Sequence, residues 1–277
     1  MPGPVLWAGT VRTSPLGERV VAAAAAGYSA LSLSPEDYLA AKADGLSDAD
    51  IRALVSDAGL RVNCYDPYTK WLPSWEPPPE FDPNMVAFFD VGEAEFFRAA
   101  EAVGASSMTV LEPFGRRWPT EIATACLQRI AQIGADAGLA VNLEFIPFWG
   151  IPDLATAWEL VRLADQPNLG LVVDTWHYFR GRPDDELLAS IPGDRIGAVQ
   201  VSDASSRPVA DLMTDCLHHR VAAGDGAFPL QRVLTTLRRT GGLRDVGPEI
   251  FSDAFDGRPA AQNAGAALVG LDGWLDG

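Results

Sequence analysis

Glu144 in Val-Asn-Leu-Glu-Phe, Asp174 in Leu-Val-Val-Asp-Thr, Gln200 in Val-Gln-Val-Ser-Asp and Glu249 in Gly-Pro-Glu-Ile-Phe each interrupt a short apolar run that reads as a β-strand. Taken singly, an acid near a strand end is often a helix cap or an ion-pair partner. Taken together, three carboxylates at matching depth need a positive charge near them, because burying them uncompensated is very costly. If the four strands are neighbours in a closed barrel, these side chains meet near its axis as oxygen ligands for one hard divalent cation. The chemistry of such a centre is Lewis-acid polarisation of a carbonyl and proton transfer at the adjacent carbon.

The elements that must place these residues alternate along the whole chain. Short β-branched or apolar runs predict strands near residues 5–9, 28–33, 60–65, 107–111, 140–145, 169–174, 196–202 and 246–251. Between them, amphipathic patterns predict helices over 48–58 (with Ser47 as cap), 93–103, 120–137, 154–164 and 230–239. Several helical stretches run into a glycine and then a strand, at Gly27, Gly59, Gly104 and Gly138, where a left-handed residue can stop the helix. Eight strands joined by crossover helices over 277 residues favour an α/β fold of one (β/α)8 TIM barrel spanning 1–277. The doubly wound alternative is weakened because no Gly-x-Gly-x-x-Gly follows the first strand.

One connection, 66–89, is long and rich in proline and aromatic residues. Following the third strand, it rises from the face on which barrel active sites form. Two readings stay open: a lid carrying Tyr68, Trp71 and Trp75, with the two tryptophans touching substrate, or aromatic side chains that pack the loop against the barrel rim or an oligomer partner.

Composition narrows the function. A formal net charge of −16, with no cluster of Lys and Arg, disfavours nucleic acid and anionic membrane surfaces. The first ten residues lack a basic, apolar leader pattern, which points to a cytoplasmic protein. Cys64, Cys126 and Cys216 are odd in number and widely spaced, which suggests incidental thiols.

The segments Asn-Leu-Glu at 142–144, Val-Asp-Thr-Trp-His at 173–177, Val-Gln-Val-Ser-Asp at 199–203, His-Arg at 219–220, Gly-Asp-Gly at 224–226 and Pro-Glu-Ile at 248–250 resemble the xylose isomerase-like, or sugar phosphate isomerase/epimerase, TIM barrels. That family also includes the endonuclease IV branch, whose many-histidine, three-zinc site cannot be assembled from His177, His218 and His219. The resemblance implies that Glu144, Asp174, Gln200 and Glu249 are metal ligands and that His177 and Arg220 contact substrate oxygens. Glutamine at the position of Gln200 resembles hydroxypyruvate isomerases and 3-dehydroshikimate dehydratases, where many members carry histidine. Gly-Asp-Gly stands where the family usually has Pro-Gly-Glu-Gly. The all-oxygen set favours manganese or magnesium over cobalt or zinc.

On this basis Glu144 and Glu249 are the candidate pair that removes and returns a proton, as in an isomerase or epimerase acting on a sugar, cyclitol or hydroxy-ketone. A substrate with a hydroxyl beta to the carbonyl turns the same chemistry into a dehydratase of the 3-dehydroshikimate or inosose type, with His177 as proton donor. One of His218 and His219 is expected to line the pocket, with His219 beside Arg220 the candidate substrate contact; Arg207 is a second candidate for binding oxygen. A small-molecule substrate is expected, and the family resemblance adds a possible homodimer. A metal-free ligand-binding barrel is the alternative from another class.

Overall fold

A computed structural model describes residues 3–275 of the 277. Eight strands, β1 (Val5–Leu6), β2 (Ala30–Leu33), β3 (Arg61–Tyr68), β4 (Ser107–Val110), β5 (Ala140–Glu144), β6 (Leu169–Asp174), β7 (Ile196–Val201) and β8 (Val246–Pro248), lie parallel and in chain order in one sheet. The last strand returns beside the first. Thr10, just beyond β1, donates from Oγ1 to Pro248 O at 2.8 Å and accepts from Ile250 N at 3.1 Å. With helices between the strands, this is the expected (β/α)8 barrel.

The glycine punctuation works as its chemistry requires. Gly27, Gly59, Gly104 and Gly138 have φ of 95°, 75°, 70° and 74°, the left-handed region that a side chain disfavours. The expected helices occur as Asp48–Ser56, Glu93–Val103, Thr120–Asp136, Leu154–Ala164 and Leu230–Thr240. Ser47 forms a reciprocal capping box with Asp50.

The first and last strands fall furthest short of the runs that the sequence suggests. β1 gives way to a 3-10 turn at Ala8–Val11, and β8 ends at Pro248. Beyond β8 the backbone bonds elsewhere, Ile250 N to the Thr10 hydroxyl and Phe251 O to Arg220 N. The third strand is longer. β3 continues to Tyr68, which pairs with Val110.

Which way the side chains point follows from the strand period of two. Val5, Trp7, Ala30, Cys64, Val172 and Ala198 form one buried cluster. Residues from β1, β2, β3, β6 and β7 can touch one another only inside the cylinder. Two residues further along their strands, Asp66, Asp174 and Gln200 therefore share the inward face at the carboxyl end. The larger core lies between the strands and the helices, filled by residues such as Leu143, Leu171, Val173 and Val199.

The 66–89 connection is more structured than expected. After β3, residues 69–82 form the irregular stretch, and a helix, Pro83–Phe89, follows. Proline opens this helix, and the Asp82 carboxylate accepts from Asn84 N at 2.7 Å. Among the described residues, no helix is long and apolar enough to cross a membrane.

Candidate active site

A cavity of about 560 Å³ opens at the carboxyl ends of the strands. Glu144, Gln200 and Glu249 line it together with His177 and Arg220, and Asp174 lies behind them against Arg220.

Asp174 ends β6 and caps the short helix Thr175–Arg180 through His177 N at 2.9 Å. Its second oxygen accepts from Arg220 Nη1 at 2.7 Å. Burial opposes the charge on Asp174, but Arg220 and His177 outweigh it and hold the carboxyl below the usual carboxylate range. Arg220 is itself buried. Its Nε donates to Cys216 O at 3.0 Å, its Nη1 lies 3.9 Å from Glu249 Oε2, and its guanidinium sits over the Trp176 and Phe251 rings. Burial disfavours its charge too, yet Asp174 and the other neighbours push its pKa above the usual guanidinium value.

Glu249 is in the opposite situation. Burial, then the negative charge of Asp174, outweigh Arg220 and push its carboxyl well above the usual value, with Glu144 and Asp66 adding to the effect. A site holding these carboxylates and one nearby guanidinium has room for more positive charge.

Two orphaned polar atoms point the same way. Gln200 Oε1 is buried without a hydrogen-bond partner, an acceptor with nothing to accept, and His177 Nδ1 is likewise unpartnered. Oxygen or nitrogen atoms of Glu144, Asp174 and His177 lie within 4.8 Å of one another, a separation that suits donors around one ion, whereas Glu249, 3.9 Å from Arg220, falls outside this group. The bonds that Asp174 already makes do not exclude this, since a carboxylate offers about four lone-pair sites. The donor set present fits a divalent metal.

His177 Nε2 stands 3.4 Å from Glu144 Oε1. A nitrogen able to give a proton and a carboxylate able to take one thus sit on the same side of the cavity.

Other sequence candidates lie elsewhere. Trp71 is 1% exposed in the core and donates from Nε1 to Leu111 O at 2.9 Å. Trp75 donates to Thr69 Oγ1 at 3.0 Å, packs edge-on against Phe114 and carries Lys70 Nζ at 4.5 Å from its ring. Neither lines the cavity, because each indole finds its apolar cover and hydrogen-bond partner within the rim. The connection does reach the cavity, but through Met85, Phe88 and Phe89 of its helix, which pack with Phe148 and Trp149 from the loop after β5, Phe89 edge-on against Trp149. His219 is exposed and bridges Ser252 through its backbone, whereas His218, bonded to Asp253 at 2.7 Å, lines the mouth. Arg207 is exposed on its loop. Gly-Asp-Gly wraps Asp203, whose carboxylate accepts from Gly224 N and Phe228 N at 3.2 and 2.8 Å.

Sequence reasoning missed Asp66, which is partly buried, and Glu112, which is buried. Asp66 lines the cavity from β3; its signal is the two-residue step from Cys64, hidden because the apolar run ends at Tyr65. Glu112 binds loops together: one of its oxygens accepts from Phe114 N, Arg116 N and Gly150 N at 3.2, 3.1 and 2.9 Å. Gly150 must be glycine there, since a Cβ would collide with Arg116 O and the Glu112 carboxylate. This clamp holds the segment carrying Phe148 and Trp149.

The model of the Xylose isomerase-like TIM barrel family matches residues 20–270. The chain is 29% identical over 269 residues to a 3-dehydroshikimate dehydratase of Pseudomonas aeruginosa, covering 92% of this chain and 39% of that protein. The chain thus spans well under half the length of that curated dehydratase. It is 28% identical over 131 residues to an inosose isomerase of Bacillus subtilis, covering 47% of this chain and 46% of the isomerase. Among solved structures, the IOLI protein with a bound zinc atom superimposes with a TM-score of 0.84 at 17% identity, covering 99% of this chain and 98% of that one, a likeness of fold.

Proposed function

The chain belongs to the xylose isomerase-like TIM barrel family, and from that premise we propose that it is a divalent-metal-dependent lyase that dehydrates a cyclic hydroxy-ketone. Glu144, Asp174, Gln200 and Glu249 would hold the ion, which when bound supplies Lewis acidity to the substrate carbonyl. Manganese or magnesium suits the oxygen donors, and the zinc in the IOLI structure makes zinc a further candidate.

The observation that carries the lyase reading is the 3.4 Å approach of His177 Nε2 to Glu144 Oε1. Dehydration beside a carbonyl removes a proton from the α-carbon and a hydroxyl from the β-carbon. Glu144 takes the proton, the C–H electron pair becomes the new C=C bond, and the C–O bond breaks as His177 delivers a proton to the departing oxygen, giving water. A base and an acid on the same side serve an elimination across one face of the ring. Epimerisation instead needs a base and an acid on opposite faces. The similarity to the 3-dehydroshikimate dehydratase over 92% of this chain supports the same reading. Isomerisation, with Glu144 and Glu249 exchanging the proton, is the second reading, favoured by the half-chain similarity to inosose isomerase.

The test incubates the manganese-supplemented protein with 3-dehydroshikimate or with an inosose in D2O, followed by NMR. A conjugated product with loss of water supports the lyase. Deuterium uptake without water loss moves the reading to the isomerase. Absence of both, or a Glu144→Gln variant that keeps full activity and metal content, removes the metal-assisted reading.

A further inference from the structure

We propose that Asp66 is a substrate-binding residue whose carboxyl group hydrogen-bonds a ring hydroxyl and so sets which carbon of the bound ring faces Glu144. The inference rests on the reading above that the substrate is a cyclic hydroxy-ketone.

The placement comes from β3. Cys64 belongs to the cluster inside the barrel, and Asp66, two residues on in the same strand, takes the same inward face at the end where the cavity opens. It is partly buried in the cavity wall. Among the described residues its carboxyl group forms no hydrogen bond and no ion pair, and the charges around it are those of Glu144, Asp37 and Glu249, all negative.

The other acids in the wall differ. Asp37 is held by Arg19 at 2.8 Å and by Ser34 N at 2.9 Å, Asp256 by Arg12, and Glu144 lies beside His177. Glu249 lies near Arg220, and Glu36 is exposed to water. The cations of the wall are equally committed: Arg12 to Asp256, Arg19 to Asp37, Arg220 to Asp174 and His218 to Asp253, while His177 faces Glu144 through Nε2. Among the described residues, no cation lining the cavity is free to turn toward Asp66. A partly buried acid left in this state lowers stability unless a partner arrives with the ligand. A hydroxyl suits it, since it can donate to the carboxylate or accept from the carboxylic acid. An anionic ligand group gains nothing there.

The test compares wild type with Asp66→Asn and Asp66→Leu in three measurements. Steady-state kinetics on 3-dehydroshikimate and on an inosose should show kcat/KM for the accepted substrate falling roughly 10- to 100-fold in Asp66→Leu, and less in Asp66→Asn, which keeps a polar partner. Thermal unfolding should show both variants at least as stable as wild type, because no protein bond is lost and repulsion from Glu144 and Asp37 is relieved. Metal content should not change. A kcat/KM within twofold of wild type in Asp66→Leu overturns the proposal, as does a lower melting temperature or loss of the ion, which would make Asp66 structural or a ligand. If wild type turns over neither substrate, the lyase reading fails by itself. Calorimetric titration with quinate and myo-inositol then decides on Asp66: weaker binding to Asp66→Leu than to wild type supports it, and equal binding, or no binding by wild type, overturns it.

Discussion

Arg220 is the cation on which the acids of the site lean, and replacing it with methionine exposes what they lack. The side chain is 1% exposed. It donates 2.7 Å to Asp174, lies 3.9 Å from Glu249 and packs over Trp176 and Phe251. Methionine keeps length and apolar contact, so the loss is the charge and its hydrogen bonds rather than volume. Removing one partner of a buried ion pair costs about 3–5 kcal/mol, because the other charge is left uncompensated. At about 2–4 °C per kcal/mol for a chain approaching this size, Arg220→Met should melt roughly 6–20 °C below wild type in EDTA. Manganese should reverse much of that loss. With the guanidinium gone and only His177 left beside Asp174, a bound ion is the main compensation for Asp174 and Glu249, and ligand binding stabilises the folded state by linkage. The manganese-induced rise in melting temperature should therefore be larger in the variant than in wild type, read by scanning calorimetry across a metal titration. A variant that melts within 2 °C of wild type in EDTA, or the same manganese response in both proteins, would refute the view that guanidinium and metal act on one set of carboxylates.

Two further perturbations separate metal from scaffold. Gln200→Leu replaces an acceptor without a partner by an apolar side chain of similar size, so in EDTA the variant should equal or exceed wild type in stability while its manganese response shrinks; a variant that kept the full response would remove Gln200 from the ligand set. Glu112, 4% exposed, has its carboxyl raised above 4.5 because burial outweighs the amide donors that favour its charge. The folded state thus holds a proton that the unfolded chain releases, so this group's contribution is full below about pH 4.5 and is lost as pH rises through the folded value. Chemical denaturation of wild type and Glu112→Gln from pH 4 to 8 should show the variant gaining relative to wild type with rising pH, and a constant difference would contradict the assignment.

Polar residues that break strongly apolar runs stand out in a linear text, which is why Glu144, Asp174, Gln200 and Glu249 could be found before their geometry was known. The eight strands were legible for a related reason: most are covered on both faces and read as nearly continuous apolar segments. What stayed hidden depends on partners that only the folded chain brings together. The aromatic residues of 66–89 carry no direction in their identity. Leu111 O draws Trp71 inward, while the helix Pro83–Phe89 turns Phe88 and Phe89 to the cavity. Adjacent histidines cannot share an orientation, and it is His218, closing the helix Leu212–His218, that faces the mouth. The buried acids make the point most directly. Glu112 meets three amide donors from two loops and becomes a clamp, Asp174 meets a guanidinium and stays charged, and Glu249, short of positive neighbours, resists ionisation. The same functional group serves structure or chemistry according to how many donors surround it, and that number is a property of the fold.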